Sequence, residues 1–335
     1  MQKTRVLVIG VGSIGERHVR CFLETGHVDV AICEINETLR GQIAERYSVS
    51  STFAGLDEAI AEGPDAAVVC TPAHLHIPMA IHLAEAGVHL LIEKPLSIAI
   101  DGIDRLVDLV DRNTLTAAVA YVWRMHPLLA EMQREIQSGR FGVPVQVIGV
   151  SGQHFPFYRP AYRDVYYKSR ATGGGAIQDA LTHFVNAGQW LLGPVTRLAA
   201  DAAHLVLEGV SVEDTVHLIA RHGSVMASYS LNQHQAPNET NMTVVCTKGT
   251  LRCELSRNRL LVAKSPTGDL VVQSECQLER DDLFVAQAKS FLDVIAGRAA
   301  PVCSLEEGLQ TLRTNLAILR AADSHEWQTI PEHES

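Results

Sequence analysis

Hydrophobic and polar positions alternate between two patterns in the first third of the chain. Short apolar runs predict buried strands at residues 5–10, 28–33, 66–70, 88–92 and 115–121. Amphipathic stretches with a helical period lie between them, at residues 14–25, 37–47, 56–62, 74–86 and 101–112. Strands that alternate with helices in this way predict a parallel sheet with helices on both faces, the doubly wound α/β arrangement.

The pattern changes near residue 144. Runs of strand length then follow one another closely, at residues 144–154, 196–207, 213–221, 224–234, 241–247, 249–255, 258–263 and 269–275. Their short connections predict a large, mainly antiparallel open sheet. Helical periodicity marks residues 176–192, 282–297 and 304–322. We therefore predict two domains, an α/β domain over 1–122 and an α+β domain over 123–335.

The composition excludes several classes of partner. Of the 335 residues, 47% are apolar and 20% are charged, which is typical of a globular protein. The net charge of -10 argues against a nucleic-acid partner, because such partners favour a basic surface. No apolar stretch reaches the roughly 18 residues of a membrane span, and the first residues lack the shape of a signal peptide.

The seven cysteines form no C-x-x-C pair, and several lie in apolar runs. This usage predicts buried thiols in the reducing cytoplasm. No cysteine–histidine spacing indicates zinc or another metal.

The first candidate site is the glycine turn Gly10-Val-Gly12-Ser-Ile-Gly15, which has a predicted strand before it and a predicted helix after it. This context is the one that the dinucleotide-binding (Rossmann) fingerprint requires. Gly10 permits the tight turn, Gly12 lets the backbone approach a pyrophosphate, and Gly15 lets the helix pack closely on the strand. The helix N-terminus then offers N–H groups to the phosphates.

Glu34 lies at the end of the second predicted strand. A carboxylate there accepts hydrogen bonds from the adenosine ribose and repels a 2′-phosphate, so NAD is favoured over NADP. The next residues, Ile35 and Asn36, supply no arginine for such a phosphate. NADP stays possible, and a solvated surface glutamate is the alternative interpretation.

Two further motifs follow predicted strands at their carboxyl ends, where open parallel sheets bind ligands. Thr71-Pro72, with His74 and His76 after it, is predicted to lie along the cofactor. Lys94, in Glu93-Lys94-Pro95, is predicted to point into the same crevice because it also follows the end of a strand. A crowded lysine can move protons near neutral pH. Each residue taken alone could instead lie on the surface.

Three consecutive glycines, Gly173 to Gly175, open the next predicted helix. Asp179 and His183 are four residues apart and therefore share one helical face, which Asn186 joins. Histidine is suited to accept or return a proton near neutral pH. A simple structural contact between Asp179 and His183 is the alternative.

Residues 153–170 directly precede these glycines and concentrate aromatic and cationic side chains in an otherwise acidic chain. Aromatic rings offer flat faces for sugar rings, and arginine forks suit carboxylates or phosphates. We predict that this middle loop binds an anionic substrate through Tyr158, Arg159, Tyr162 and Arg163. A contact between subunits is the alternative.

Together these elements resemble the glucose-fructose oxidoreductase / inositol dehydrogenase / rhizopine catabolism family (Gfo/Idh/MocA) over nearly the whole chain. The shared elements are the glycine turn continued as Gly15-Glu-Arg-His18, Thr71-Pro72 with His76, Glu93-Lys94-Pro95, Arg124 with Pro127, and the triple glycine with Asp179 and His183. The resemblance implies a Rossmann domain followed by an open-sheet domain, and NAD(P)-dependent oxidation or reduction of a sugar, polyol or similar alcohol.

Residue roles carry over from this resemblance by position. It implies that the catalytic residues are Lys94, Asp179 and His183. It implies that the cofactor-binding residues are Gly10, Gly12, Ser13, Ile14, Gly15, Glu34, Thr71, Pro72, His76, Glu93, Lys94 and Arg124. Two positions depart from the family pattern: Val122 stands where asparagine is frequent, and Asn186, a predicted substrate contact, stands where aspartate is common. The amide lacks a charge that would stabilise an imidazolium.

The sequence thus predicts an NAD-dependent dehydrogenase or reductase acting on CH–OH groups of a small, sugar-like substrate. Its exposed sheet face and its resemblance predict a homodimer or homotetramer. Two alternatives stay open: an NAD-assisted glycoside hydrolase and a non-catalytic NAD-binding regulator.

Overall fold

The computed structural model describes residues 3–331, and the chain forms two compact units. The first unit holds the residues up to Met125 together with Glu279–Leu309, and the second holds His126–Leu278 together with the residues from Gln310 onward. A single division between residues 122 and 123 stays a prediction. The units differ from it because residues 279–309 return to the first unit. Periodicity identifies a helix, but it does not identify the core against which the helix packs.

The first unit contains a six-stranded parallel sheet in the order β3-β2-β1-β4-β5-β6. Its strands are β1 (Thr4–Ile9), β2 (Val28–Cys33), β3 (Ser51–Phe53), β4 (Ala66–Val69), β5 (His89–Ile92) and β6 (Ala117–Val119). Every residue of β4 is buried, as expected where helices cover both faces of a parallel sheet. This strand order confirms the predicted Rossmann fold.

Five helices connect these strands: α1 (Ser13–Glu24), α2 (Glu37–Tyr47), α3 (Leu56–Ala61), α4 (His76–Glu85) and α5 (Ile103–Arg112). Helix α2 begins after Asn36, whose side chain accepts a hydrogen bond from the Leu39 N–H at 2.9 Å. Such N-caps satisfy one of the unpaired N–H groups at a helix start.

Among residues 3–331, the second unit contains a nine-stranded sheet and three α-helices that lie wholly within it. The strands are β7 (Pro144–Gly152), β8 (Arg197–Ala203), β9 (Thr215–His222), β10 (Val225–Asn232), β11 (Glu239–Cys246), β12 (Gly249–Glu254), β13 (Arg259–Ala263), β14 (Val271–Glu275) and β15 (Gln328–Thr329). The helices are α6 (Pro127–Gln137), α7 (Phe155–Tyr158) and α8 (Thr182–Leu192).

The sheet of the second unit has the order β14-β13-β12-β11-β7-β10-β9-β8-β15. Neighbouring strands are antiparallel except β7 and β10, so the predicted mainly antiparallel open sheet is confirmed. Buried and accessible residues alternate along β9 and β10, as in a sheet with one covered face.

Two long helices lie between β14 and β15 in the chain. Helix α9 (Asp282–Ile295) belongs to the first unit, where Ala288 and Phe291 enter the same core as β1 and α1. Helix α10 (Leu305–Ser324) passes from the first unit into the second at Leu309. Within residues 3–331, no helix has both the length and the apolar character needed to span a bilayer.

Candidate active site

The first glycine turn joins β1 to α1. Gly10 has a φ of +78°, and its N–H donates to the Cys33 carbonyl at 2.9 Å. A Cβ atom on Gly15 would collide with the carbonyl oxygen of Gly10, whereas a Cβ on Gly12 would meet nothing within 4 Å. The turn is therefore closed at Gly10 and Gly15 and open at Gly12.

The open side of this turn is the N-terminus of α1. Gly12 is the N-cap, and no side chain of the described residues caps the helix there. Gly12 and Ser13 are exposed, while Ile14 is half-buried. Backbone N–H groups of a first helical turn without a capping side chain are suited to bind phosphate. The predicted residues therefore fit the pyrophosphate of a dinucleotide.

The Glu34 carboxylate lies against the glycine turn. Its Oε2 accepts a hydrogen bond from the Val11 N–H at 3.0 Å, and its Oε1 accepts one from the Asn36 N–H at 2.9 Å. Arg40, one turn into α2, donates to the Glu34 carbonyl at 2.6 Å. Glu34 therefore lies at the end of β2, beside the glycine turn. The guanidinium of Arg40 lies close to it, although the neighbouring residues in the sequence do not indicate this.

Turns follow the carboxyl ends of β4 and β5, and His76 connects them. Its Nε2 lies 2.7 Å from the Thr71 carbonyl oxygen, and its Nδ1 lies 3.0 Å from the Pro95 carbonyl oxygen. The imidazole is buried, and burial lowers its pKa. His76 therefore holds the Thr71-Pro72 turn to the turn that carries Lys94, and its role in cofactor binding stays a prediction.

Glu93 is a second buried link in the first unit. Its Oε1 lies 2.8 Å from Nε2 of His18 on α1, and its Oε2 accepts a hydrogen bond from the Lys94 N–H at 3.0 Å. The Lys94–Pro95 peptide bond is cis. Glu93 therefore fixes the backbone of Lys94, and its own role in binding the cofactor stays a prediction.

The triple glycine of the second unit lies against Glu213. A Cβ on Gly175 would collide with the Glu213 carboxylate, and a Cβ on Gly174 would collide with the Tyr167 carbonyl oxygen. Glu213 is buried and accepts hydrogen bonds from the Ile177 N–H at 3.1 Å and from Nε of Arg170 at 2.8 Å. A carboxylate at this position stabilises the positive end of the helix that follows.

Asp179 lies in a π-helical turn, Ile177–Leu181, that leads directly into α8. Such turns have i→i+5 hydrogen bonds and are frequent at functional sites. This differs from the regular helix that the sequence predicts, because an inserted turn leaves no trace in hydrophobic periodicity. The Asp179 carboxylate is buried and accepts a hydrogen bond from the Tyr166 hydroxyl at 2.7 Å. His183 follows on α8 and is half-buried.

Family profiles match both units of this chain. The profile described as "Oxidoreductase family, NAD-binding Rossmann fold" matches residues 4–121, and the "GFO/IDH/MocA C-terminal domain" matches residues 129–252. Together they cover more than half of the sequence. The chain belongs to the Gfo/Idh/MocA oxidoreductase family. It is therefore an NAD-binding oxidoreductase, as the glycine turn and Glu34 predict.

Individual Gfo/Idh/MocA proteins resemble the chain over its whole length. Levoglucosan dehydrogenase of Pseudarthrobacter phenanthrenivorans is 24% identical, with 99% of each chain covered. A structure of levoglucosan dehydrogenase in complex with NADH superposes with a TM-score of 0.90 at 20% identity, covering 99% of this chain and 100% of that one. The structure of the WlbA dehydrogenase from Bordetella pertussis, in complex with NADH and UDP-GlcNAcA, superposes with a TM-score of 0.83 at 24% identity. It covers 99% of this chain and 100% of that one. At these identities the structures establish the shared fold.

Arg124, which the resemblance places among the cofactor-binding residues, makes contacts within the first unit, and its cofactor role stays a prediction. It is buried, and its Nη1 donates to the Val302 carbonyl at 2.8 Å and to Oε1 of Glu307 at 2.5 Å. Arg124 thereby fastens the end of the Rossmann unit to the returning segment 279–309.

Asn186 is also buried, and its amide donates to Oγ1 of Thr311 at 2.9 Å. Gln189, one turn later on α8, donates to the same hydroxyl at 3.1 Å. Asn186 therefore contributes to the contact between α8 and α10, and its contact with the substrate stays a prediction.

The middle loop of this Gfo/Idh/MocA protein has its own small core. Tyr162 is buried with Phe155, Tyr167, Leu207 and Val212, and its hydroxyl donates to the Glu208 carbonyl at 2.8 Å. Its ring packs within this core, and its contact with a substrate stays a prediction.

The cations of the loop differ in their surroundings. The guanidinium carbon of Arg163 lies 5.2 Å from the centroid of the Tyr162 ring. Its Nη2 lies 3.7 Å from Oε2 of Glu208. Arg170 pairs with Glu213 and Asp323. Tyr158 and Arg159 are exposed, and these two keep the predicted opportunity to meet a substrate.

Four residues contact predicted site residues or the triple glycine, and the sequence did not reveal these contacts. They are His18, Arg40, Tyr166 and Glu213. His18 stood in the family motif, but the carboxylate it contacts is 75 residues away. Tyr166 lay within the middle loop and had no spacing signal toward Asp179. In residues 3–331 no group of His, Cys, Asp or Glu side chains is arranged to hold a metal.

Proposed function

We propose that this protein transfers a hydride between a nicotinamide cofactor, preferably NAD, and a carbinol or carbonyl carbon of a sugar, polyol or sugar acid. The proposal depends above all on one observation. A Rossmann unit that retains Lys94 at the carboxyl end of β5 is joined, in one Gfo/Idh/MocA chain, to a unit in which Asp179 and His183 follow the triple glycine.

The glycine turn and Glu34 would hold the cofactor. The open space at Gly12, the uncapped α1 and the fixed Glu34 carboxylate support the pyrophosphate and ribose roles. Thr71 and Pro72, at the end of β4, would line its path. When bound, the nicotinamide ring would supply the hydride acceptor for oxidation of the substrate carbon, or the hydride donor for its reduction.

The chain's own groups would handle the proton and the charge on oxygen. His183 would take the hydroxyl proton on a ring nitrogen as the C–H bond breaks. Lys94 would stabilise the developing oxyanion with its ammonium group, and Asp179 would accept a hydrogen bond from a substrate hydroxyl. Fixed charges and positioned partners of this kind account for much of an enzymatic rate enhancement.

The names of the relatives support a sugar-like substrate, since one is a levoglucosan dehydrogenase and another was solved with UDP-GlcNAcA. An anionic substrate is the finer proposal. It now depends on Arg159 more than on Arg163, because Arg163 already has Glu208 beside it.

The decisive experiment follows NADH absorbance with levoglucosan, myo-inositol, D-glucuronate and UDP-GlcNAcA, with NAD and NADP in parallel. We expect turnover of at least one compound with NAD. Lys94→Ala and His183→Ala should each lower kcat by a factor of about 100 or more, with the Kd for NADH nearly unchanged. Full activity in both variants would overturn the assignment.

Matched controls are Lys289→Ala and His27→Ala. Both side chains are exposed, and neither belongs to the proposed site. These variants should keep the activity and stability of the parent protein.

A homodimer or homotetramer in the cytoplasm completes the proposal. Ile219 on β9 and Met226 on β10 are 51% and 52% exposed on one face of the nine-stranded sheet. Apolar side chains of this kind are typical of a covered interface. Analytical ultracentrifugation tests the assembly, and a monomer at micromolar concentration would contradict it.

A further inference from the structure

We propose that Tyr166 is a positioning residue of the second unit, which orients the Asp179 carboxylate through its hydroxyl group. This inference rests on the proposed function, because it assumes that Asp179 meets the substrate. It changes the role of the middle loop, whose contribution to the site would then come through Tyr166.

The contact itself is a charge-assisted hydrogen bond. The Tyr166 hydroxyl donates to Oδ1 of Asp179 at 2.7 Å, within the range of strong O–H···O⁻ bonds. Asp179 is 6% exposed, so water competes little for its oxygens. The Tyr166 ring is 37% exposed and therefore reaches a buried carboxylate from the accessible side.

The loop holds Tyr166 in this position from its backbone. The carbonyl of Tyr166 accepts hydrogen bonds from the Thr172 hydroxyl at 2.6 Å and from the Ser169 N–H at 3.3 Å. The next residue, Tyr167, is buried, with its ring centroid 4.6 Å from that of Phe155. The two consecutive tyrosines therefore have different contacts: Tyr167 packs in the core of the loop, and Tyr166 binds Asp179.

The backbone of Asp179 is fixed from the opposite direction. Its N–H donates to the Gly175 carbonyl at 3.0 Å, and Glu213 holds the start of the same turn through the Ile177 N–H. What this backbone leaves undetermined is the rotation of the carboxylate about its own side-chain bonds. The Tyr166 hydroxyl favours the rotation in which Oδ1 faces it.

This arrangement has a chemical consequence. A hydrogen bond donated to a carboxylate favours its ionised form. Asp179 would therefore accept a hydrogen bond from a substrate hydroxyl and hold that hydroxyl in one orientation. A misplacement of about 1 Å in such a group can cost a factor of about 100 in rate.

Tyr166→Phe is the test, because it removes the hydroxyl and keeps the ring. With the compound of the four-member panel that turns over fastest, we expect kcat to fall by a factor of about 10 to 100, the effect of losing one hydrogen bond to a charged group. KM should change less than about threefold, and the Kd for NADH should not change. An unchanged kcat would overturn the inference.

Tyr229→Phe is the matched control. The Tyr229 hydroxyl is likewise hydrogen-bonded, 2.9 Å from Nε2 of His222, but this buried pair contains no proposed site residue. This variant should lower the unfolding temperature and leave kcat unchanged. If both variants lower kcat equally, the effect of Tyr166 is general loss of stability, and the positioning role is wrong.

A double-mutant cycle separates positioning from an independent role. If Tyr166 acts through Asp179, adding Tyr166→Phe to Asp179→Ala should cost no further activity. Multiplying losses would overturn the inference and leave the proposed function intact. Full activity of Asp179→Ala alone would instead remove Asp179 from the proposed function, and the inference would fall with it.

Discussion

The glycine-rich turns at residues 10–15 and 173–175 each lead into a helix that carries proposed site residues, yet their glycines face different surroundings. In the first turn, a Cβ on Gly12 would enter open space beside an uncapped helix start. In the second, Cβ atoms on Gly174 and Gly175 would meet the Tyr167 backbone and the Glu213 carboxylate. One turn keeps room for a ligand, and the other makes room for the protein's own groups.

The difference shows what a glycine motif does and does not establish. Both turns satisfy the general statement that glycine permits close approach of the backbone. Only the surroundings reveal whether the approaching group is a cofactor or a carboxylate of the same chain. Alanine substitutions measure this difference directly, since a single methyl group reports on the space at each position.

Gly15→Ala should have the largest effect. The added methyl group collides with the Gly10 carbonyl, a backbone atom that cannot move without opening the β1–α1 turn. We expect a loss of about 3 kcal/mol or more in the free energy of unfolding, at the upper end of overpacking costs. Urea denaturation measures it.

Gly41→Ala is the control for this variant. Gly41 lies exposed within α2, with nothing within 4 Å of its Cβ position. Alanine should stabilise the helix there by up to about 1 kcal/mol. Equal stabilities of the two variants would mean that the first turn is not closed at Gly15.

Gly175→Ala should rank second. Its φ of +93° is strained for alanine, which costs about 1–3 kcal/mol, and the methyl group also displaces the Glu213 carboxylate. Gly193→Ala has a similarly positive φ of +90°, but its methyl group meets nothing within 4 Å. We expect both variants to lose stability in urea, and only Gly175→Ala to lose most of its kcat. Equal kcat values would contradict the close packing against Glu213.

Much of the fold was predictable because its signals are local. Buried runs identified five of the six Rossmann strands, and only the three-residue β3 escaped. The return of 279–309 to the first unit was not predictable, since an apolar helix face does not specify its partner. Contacts between residues far apart in the sequence determine which core a helix joins, and a single sequence contains no direct signal of those contacts.

The site was predictable where its residues follow strand ends or a fixed motif. Glu34 lies against the glycine turn as expected, because strand β2 ends beside β1. The buried roles of Glu93 and Arg124 were not predictable, because each depends on a partner far along the chain: His18 for Glu93, and Val302 and Glu307 for Arg124.

Gly12→Ala should affect binding and leave stability nearly unchanged. Gly12 has a φ of -61°, which alanine adopts without strain, and its Cβ position is open. The methyl group would occupy the space through which a pyrophosphate approaches the backbone. We expect the Kd for NADH to rise by a factor of about 10, equivalent to about 1.4 kcal/mol, as measured by NADH fluorescence. Unchanged affinity would mean that the open space does not receive the cofactor.

Glu34→Ser should have the smallest effect and concerns the same turn. Removing a carboxylate beside a phosphate relieves about 1 kcal/mol of repulsion at a solvated position, and Arg40 already lies 2.6 Å from the Glu34 carbonyl. The ratio of kcat/KM for NADP to that for NAD should therefore rise several-fold. Adding Arg40→Ala should cancel much of that gain, because the remaining guanidinium is what would attract the 2′-phosphate. If the double variant keeps the full gain, Arg40 serves only to hold the backbone of Glu34, and cofactor preference at this turn depends on the carboxylate alone.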